Sequence, residues 1–306
     1  MQRAQTARCT LFPPPARTDD VLNALSIDVE EYFQAHAYEK VIARSAWDEL
    51  PGRVVANTRR LLALLAEHNT RATFFVLGWV ADRHPELVGD IAGAGHEVGS
   101  HGYAHELVYR QSRADFTADL ARSLHAIRRA TGDRDPVIGY RAPGFSVTDD
   151  SLWALEVLHT YGLRYDSSVQ PIAAKDGAGL RGGKHVGVSG AARFAERRGK
   201  VWEFPVSTLR LAGRNWPVAG GGYFRLLPLW VTRGAIARIN AEGHPAVVYL
   251  HPWELDADEP EVPHASRLAR FRHRVNLDKT EARLRRLLAA HRFAPLRDVF
   301  ASQLAA

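Results

Sequence analysis

Short apolar runs alternate with longer stretches of helical period from about residue 22 onward. "VLNALSIDV" reads as a strand, because strands buried on both faces are nearly continuous in apolar residues. "RVVANTRRLLALLAEH" places Val54, Leu61, Leu62 and Leu65 on one face of a helix. "ATFFVLG" is the next strand, Pro85 opens a helix that stops at "GAGHE", "HEVGSHGYAH" is a short strand leaving into a turn, and "RADFTADLARSLHAIRRATG" is helical. "VIGYRAPG", "LRYDSS", "KVWEFPVS" and "PAVVYLHPW" are further strands. Thr148 with Asp149 and Asp150 forms a cap and acidic first turn for "SLWALEVLHTYG", and "KTEARLRRLLAAH" is the last clear helix.

Strand and helix in repeated order predict a parallel α/β sheet, and so many units in one chain favour a closed or nearly closed barrel over an open doubly wound sheet. Residues 171–200 break the rhythm, being Gly- and Arg-rich with little apolar periodicity, and are expected to form a long exposed loop. Residues 1–20, polar with a proline cluster, are expected to be a disordered leader to a single domain over residues 21–306.

Composition narrows the classes. With 306 residues, 46% of them hydrophobic, the chain can bury a barrel-sized core. The charge of +6 is spread out, with no basic run interleaved with aromatics, so no nucleic-acid partner is expected. Cys9 is the only cysteine, so any metal must be held by histidine and carboxylate. No stretch approaches about 18 apolar residues, so no membrane span is expected. The leader lacks the apolar centre of a signal peptide, which points to a cytoplasmic location.

Chemistry on parallel α/β folds collects at the carboxyl ends of strands. The predicted strands end in Asp28 and Glu30, His101 and His105, Arg141, Asp166, and His251. Each alone has a plain structural explanation, but together they suggest a functional rim. His101 and His105, four residues apart in "SHGYAH", can converge on a divalent ion, zinc above all, and "LSIDVE" offers a carboxylate to complete the set. Side chains alternate along a strand, so Asp28 and Glu30 share a face and Glu31 points away.

"SIDVEEYF", "TFFVLG", "HEVGSHGYAH", "YRAPGFS", "YDSS" and "YLHPWE", in this order, resemble the polysaccharide deacetylases of carbohydrate esterase family 4. "GGGYFRLLP" and "RFRHRVNL" are similar to the subgroup associated with exopolysaccharide loci of the PEP-CTERM/exosortase system. The resemblance runs from about residue 24 to 298. It implies a distorted (β/α) barrel with fewer than eight units, and metal-dependent removal of N-acetyl groups, as acetate, from an amino-sugar polysaccharide or oligosaccharide. By position, Asp28 resembles the catalytic base, Glu30, His101 and His105 the metal ligands, Arg141 the residue that orients the base, and His251 the general acid. Leu250 resembles a wall of the acetyl-methyl pocket, and Asp166 is assigned to substrate binding. Most of the family has adjacent aspartates in its first motif, whereas Val29 here separates Asp28 from a glutamate. The rivals are a metal-dependent amidohydrolase acting on a small amide and a catalytically silent carbohydrate-binding barrel. Tyr32, Phe33, Tyr223, Phe224 and Trp253 could stack on sugar rings, but aromatics beside strands are more often core.

Overall fold

The computed structural model describes residues 21–132, 135–172 and 193–306. The expected leader, and residues 173–192 of the expected loop, lie outside this range. Nine strands form one curled sheet: β1 (Leu22–Val29), β2 (Thr73–Val76), β3 (Glu97–Ser100), β4 (Gly139–Tyr140), β5 (Tyr165–Asp166), β6 (Glu196–Arg198), β7 (Val201–Glu203), β10 (Val247–Leu250) and β11 (Arg292–Ala294). Their order is β10-β1-β2-β3-β4-β5-β7-β6, with β11 beside the start of β1. All pairings are parallel except the β6–β7 hairpin, so this is the expected partial barrel. Two strands, β8 (Thr208–Leu211) and β9 (Arg214–Pro217), form a separate hairpin. The loop expected at 171–200 is corrected at its end. Residues 196–198 are strand, because they can pair with β7 at the sheet edge.

β1 is buried on both faces from Asn23 to Val29, as a central parallel strand must be. Its outward residues Leu25, Ile27 and Val29 pack with Leu61, Leu65, Phe74 and Leu124 under a layer of helices that includes Val54–Glu67 and Arg113–Thr131. The second of these is set by its ends: Ser112 accepts from the Asp115 N–H, and Gly132 closes it in the left-handed conformation. Inside the barrel, Ala24, Phe75, Tyr165, Phe204 and Val247 meet Leu296, Phe300 and Leu304 from the last turns of the chain. That plug lies at the amino ends of the strands, where β11 pairs with Leu22–Ala24, and leaves the carboxyl ends free.

Register aligns those carboxyl ends. Ile27 faces Leu250, Val29 faces Val76, Val76 faces Ser100, and Ser100 faces Tyr140, so the residues that follow emerge at one level. The glycines of "GGGYF" add one more segment to the rim. Gly220 (φ +150°) and Gly221 (φ +50°) lie against Tyr249, where a Cβ at Gly220 would meet the Tyr249 carbonyl at 2.1 Å. This close approach seats helix Gly221–Leu226 and its Arg225 beside β10.

Candidate active site

At the end of β1 the two adjacent glutamates part. Glu30 turns to the rim, with Oε2 2.8 Å from His105 Nε2 and 3.9 Å from His101 Nε2. Glu31 turns away and accepts from the Arg53 and Val54 N–H groups, capping the opening of the helix that starts at Val54. We therefore expect Glu30→Gln to weaken binding of a divalent ion at least about 10-fold and Glu31→Gln to leave it nearly unchanged. Competitive chelator titration of both variants checks this, and the reverse order would undo the assignment.

The ligand atoms of Glu30, His101 and His105 lie within 4.8 Å of one another, all buried. Among the described residues, Glu30 Oε2 is buried with no polar neighbour in hydrogen-bond range except the His105 imidazole nitrogen at 2.8 Å, the setting of an oxygen and a nitrogen that a shared cation would complete. His101 Nδ1 lies 2.7 Å from the Arg141 carbonyl; donation of its proton there leaves Nε2 as the lone-pair nitrogen facing Glu30. Burial brings His101 down to about 4, so it is neutral as a ligand must be. Burial alone would raise the Glu30 carboxyl, but His105, His251 and His101 together hold it well below the carboxylate range. The residues present fit a divalent ion.

The histidine segment is not helical. His105 sits at φ +52°, sparsely populated for a residue with a side chain, and is held there from both sides. The Asp119 carboxylate accepts from the N–H groups of Tyr103 and Ala104, while the Arg44 guanidinium donates to the carbonyls of Ala104 and His105.

Asp28 and Arg141 form a buried pair. Arg141 Nη1 donates to Asp28 Oδ1 and to Ser26 Oγ, both at 2.8 Å, while Nε and Nη2 are taken by the Ser167 carbonyl and hydroxyl. With every nitrogen used, Arg141 cannot swing, and Asp28 keeps Oδ2 toward the rim, 4.0 Å from His251 Nε2. His251 in turn holds Nδ1 2.7 Å from Glu254 Oε1 and Nε2 3.7 Å from Glu30 Oε1. Burial would lower His251, but the Glu254 hydrogen bond and the charges of Glu30, Glu254 and Asp28 lift it to about 9. Behind Glu254 stands Arg225, whose Nε donates at 2.7 Å and whose Nη1 donates to the carbonyls of His273 and Val275. Trp253 stacks against His251 and donates its indole N–H to Glu30 Oε1 at 3.2 Å.

The structure thus brings together Asp28, Glu30, His101, His105, Arg141 and His251. Leu250 lies just below them, fully buried. Asp166 does not join them. It shares the register of Tyr140, which packs outward on Phe116, and its carboxyl meets Ser168 and Glu203 instead. Four of the aromatics considered for stacking, Tyr32, Phe33, Phe224 and Trp253, are core.

Asp166 Oδ2 and Glu203 Oε2 are both buried without a donor, and one proton between them satisfies both. Burial and the Asp166 charge push Glu203 well up. The folded chain then holds a proton that the unfolded chain releases, so stability should fall as pH rises toward the folded value. Glu203→Gln, which keeps a donor to Asp166 without titrating, is expected to flatten the fall in Tm as pH rises above the ordinary carboxylate range. Thermal melts of both proteins over rising pH measure it.

Glu254 and Arg225 were missed by sequence reasoning. The available signal was an acid three residues after His251 with Pro252 between, which closes a tight turn. Arg225 carries no local signal.

A partial barrel with two histidines and a glutamate at the carboxyl ends of neighbouring strands defines an α/β protein whose rim can take a divalent ion. Residues 38–165 match the polysaccharide deacetylase family model, and residues 167–301 match a domain of unknown function, DUF3473. Asp28 and Glu30 precede both segments, while His251 falls in the second. A peptidoglycan-N-acetylglucosamine deacetylase of Bacillus cereus is 30% identical over 131 residues, 42% of this chain and 46% of that protein. A chitooligosaccharide deacetylase of Sinorhizobium fredii is 36% identical over 95 residues, 31% of this chain and 44% of its own. The match thus spans less than half the length of either relative. A crystal structure of a polysaccharide deacetylase candidate from Mycobacterium smegmatis shares the fold, with a TM-score of 0.60 at 19% identity over 96% of this chain and 95% of the other.

Proposed function

We propose that the protein is a metal-dependent hydrolase that removes acetyl groups from N-acetylated amino sugars of a polysaccharide or oligosaccharide, releasing acetate. The observation that supports it best is a carboxylate fixed by Arg141 and an imidazole fixed by Glu254, facing each other across a buried Glu30, His101 and His105. Glu30, His101 and His105 would hold the ion, and two imidazoles with one carboxylate suit zinc with a position left open. Such an ion lowers the pKa of water and polarises an acyl oxygen.

The chain's own groups supply the proton transfers. An amide needs a proton removed from attacking water and one delivered to the departing nitrogen. Asp28 Oδ2, pointing to the rim while Oδ1 is tied to Arg141, takes the first. His251 is protonated at neutral pH and keeps Nδ1–H on Glu254, so Nε2–H is the proton free to deliver. Leu250 and its neighbours close the site on its barrel side, away from water.

The relatives named above act on peptidoglycan and chitooligosaccharides, which carry N-acetylated amino sugars; the match over residues 167–301 is compatible with an exopolysaccharide role. Acetate release from N-acetylated oligosaccharides, set against a panel of small linear and cyclic amides, tests the reading. Turnover confined to the amides would replace it with an amidohydrolase, and binding without turnover would leave a carbohydrate-binding barrel.

A further inference from the structure

Two long stretches of the chain hold no acid. No Asp or Glu lies between Glu203 and Glu242 or between Glu261 and Asp278, and the two stretches carry nine arginines. The whole chain is only +6, so the remainder is net acidic and the charge is far less even than its total suggests. The same stretches hold four of the seven exposed large apolar side chains among the described residues. Leu226, Trp230, Leu268 and Phe271 are each half exposed or more. The fold gathers their helices. Arg225 donates to the carbonyls of Arg272 and His273, and Gly222, one turn before Leu226, lies beside the Arg272 carbonyl. Trp230 stands in the first turn of the next helix, Leu229–Ala241.

Helix Arg267–Arg274 is turned opposite to an ordinary surface helix. It buries His273, which stacks on Trp253 behind His251, and sends Leu268 and Phe271, one turn apart, out to water. Arg267, Arg270 and Arg272 are exposed around them. Arg274 pairs with Glu259, but among the described residues neither Arg267 nor Arg270 has a carboxylate partner. Exposed apolar side chains mark a contact surface, and arginines without acids select an anionic one. Nucleic acid would meet the arginines, yet Leu226 and Leu268 have no ring to stack on bases. An anionic bilayer satisfies both: its phosphates meet the guanidiniums, and Leu, Phe and Trp enter the boundary between headgroups and acyl chains.

We propose that this face docks the protein on a membrane surface rich in anionic phospholipid, without spanning it. The full chain is sedimented with vesicles of phosphatidylcholine alone and of phosphatidylcholine mixed with phosphatidylglycerol. Binding to the mixed vesicles is expected to be at least about tenfold tighter than to the neutral ones, and to weaken as salt rises. Leu268→Gln with Phe271→Gln, and separately Arg267→Gln with Arg270→Gln, should each weaken it at least about tenfold. All four positions are exposed, so Tm should be unchanged, which a thermal melt confirms.

No binding, equal binding to both kinds of vesicle, or binding that survives either double variant overturns the proposal. Affinity for duplex DNA without affinity for vesicles would reassign the face to nucleic acid. Dissociation of a self-associated chain by Leu268→Gln with Phe271→Gln, again without vesicle binding, would reassign it to a second copy.

Discussion

His101→Ala and His105→Ala are each expected to lose stoichiometric metal and, with it, nearly all turnover. The argument rests on how few donors there are. Among the described residues, Glu30, His101 and His105 are the one group of three ligand atoms close enough to share an ion. Removal of either imidazole leaves two. Changes behind the ligands already cost about 10- to 100-fold in affinity, so loss of a ligand should cost no less. His101 carries a second consequence. Its Nδ1 is engaged with the carbonyl of Arg141, the residue that holds Asp28, so His101→Ala also loosens the neighbour of the proposed base. His105→Ala does not. Metal content after dialysis against a chelator, with a thermal melt to confirm folding, reads the first effect. Full occupancy in both variants would falsify the site.

The second large effect is expected at His251. His251→Ala should keep its metal and lose about 10²- to 10⁴-fold in turnover, the usual worth of a positioned proton donor. The pH dependence gives a finer test. A general acid works in its protonated form, so the rate should fall as pH rises through the pKa of His251. That pKa is lifted chiefly by the hydrogen bond that His251 donates to Glu254, so Glu254→Gln should move the alkaline limb toward lower pH. Loss of a merely structural contact would lower the rate at every pH and leave the limb in place. Glu254→Gln also leaves Arg225 buried without its carboxylate, so a drop in Tm is expected beside the shift.

Much of this site was legible because strand chemistry is local. A run such as "LSIDVE" specifies both a buried strand and the face on which Asp28 and Glu30 emerge, and the structure places Glu30 and Glu31 on opposite sides as alternation requires. The same logic puts Asp166 at the rim, where the structure does not bring its side chain. The residue does end a strand, but its side chain faces the helix layer, and which face looks inward depends on neighbours that a two-residue strand does not reveal. The β8–β9 hairpin escaped for another reason. Its turn uses Ala212 at φ +49° and Gly213 at φ +76°, and alanine is a poor sign of a left-handed residue. Arg225 was invisible because its carboxylate partner lies 29 residues on and its seat depends on the glycines packed against Tyr249.

The place of β1 in the sheet bears on how the barrel comes into being. The earliest strand lies between the second strand and two of the latest, and Leu22 pairs with Arg292 across 270 residues. Contacts so far apart in sequence are slow to form, because a long loop must close before they contribute anything. During synthesis β1 therefore waits, with Asp28 and Glu30 unburied, until residues 247–294 have emerged. The half-made sheet exposes a long apolar edge in that interval, a surface prone to aggregate. Yield of soluble protein should then depend on translation rate and chaperone supply more steeply than equilibrium stability alone would suggest.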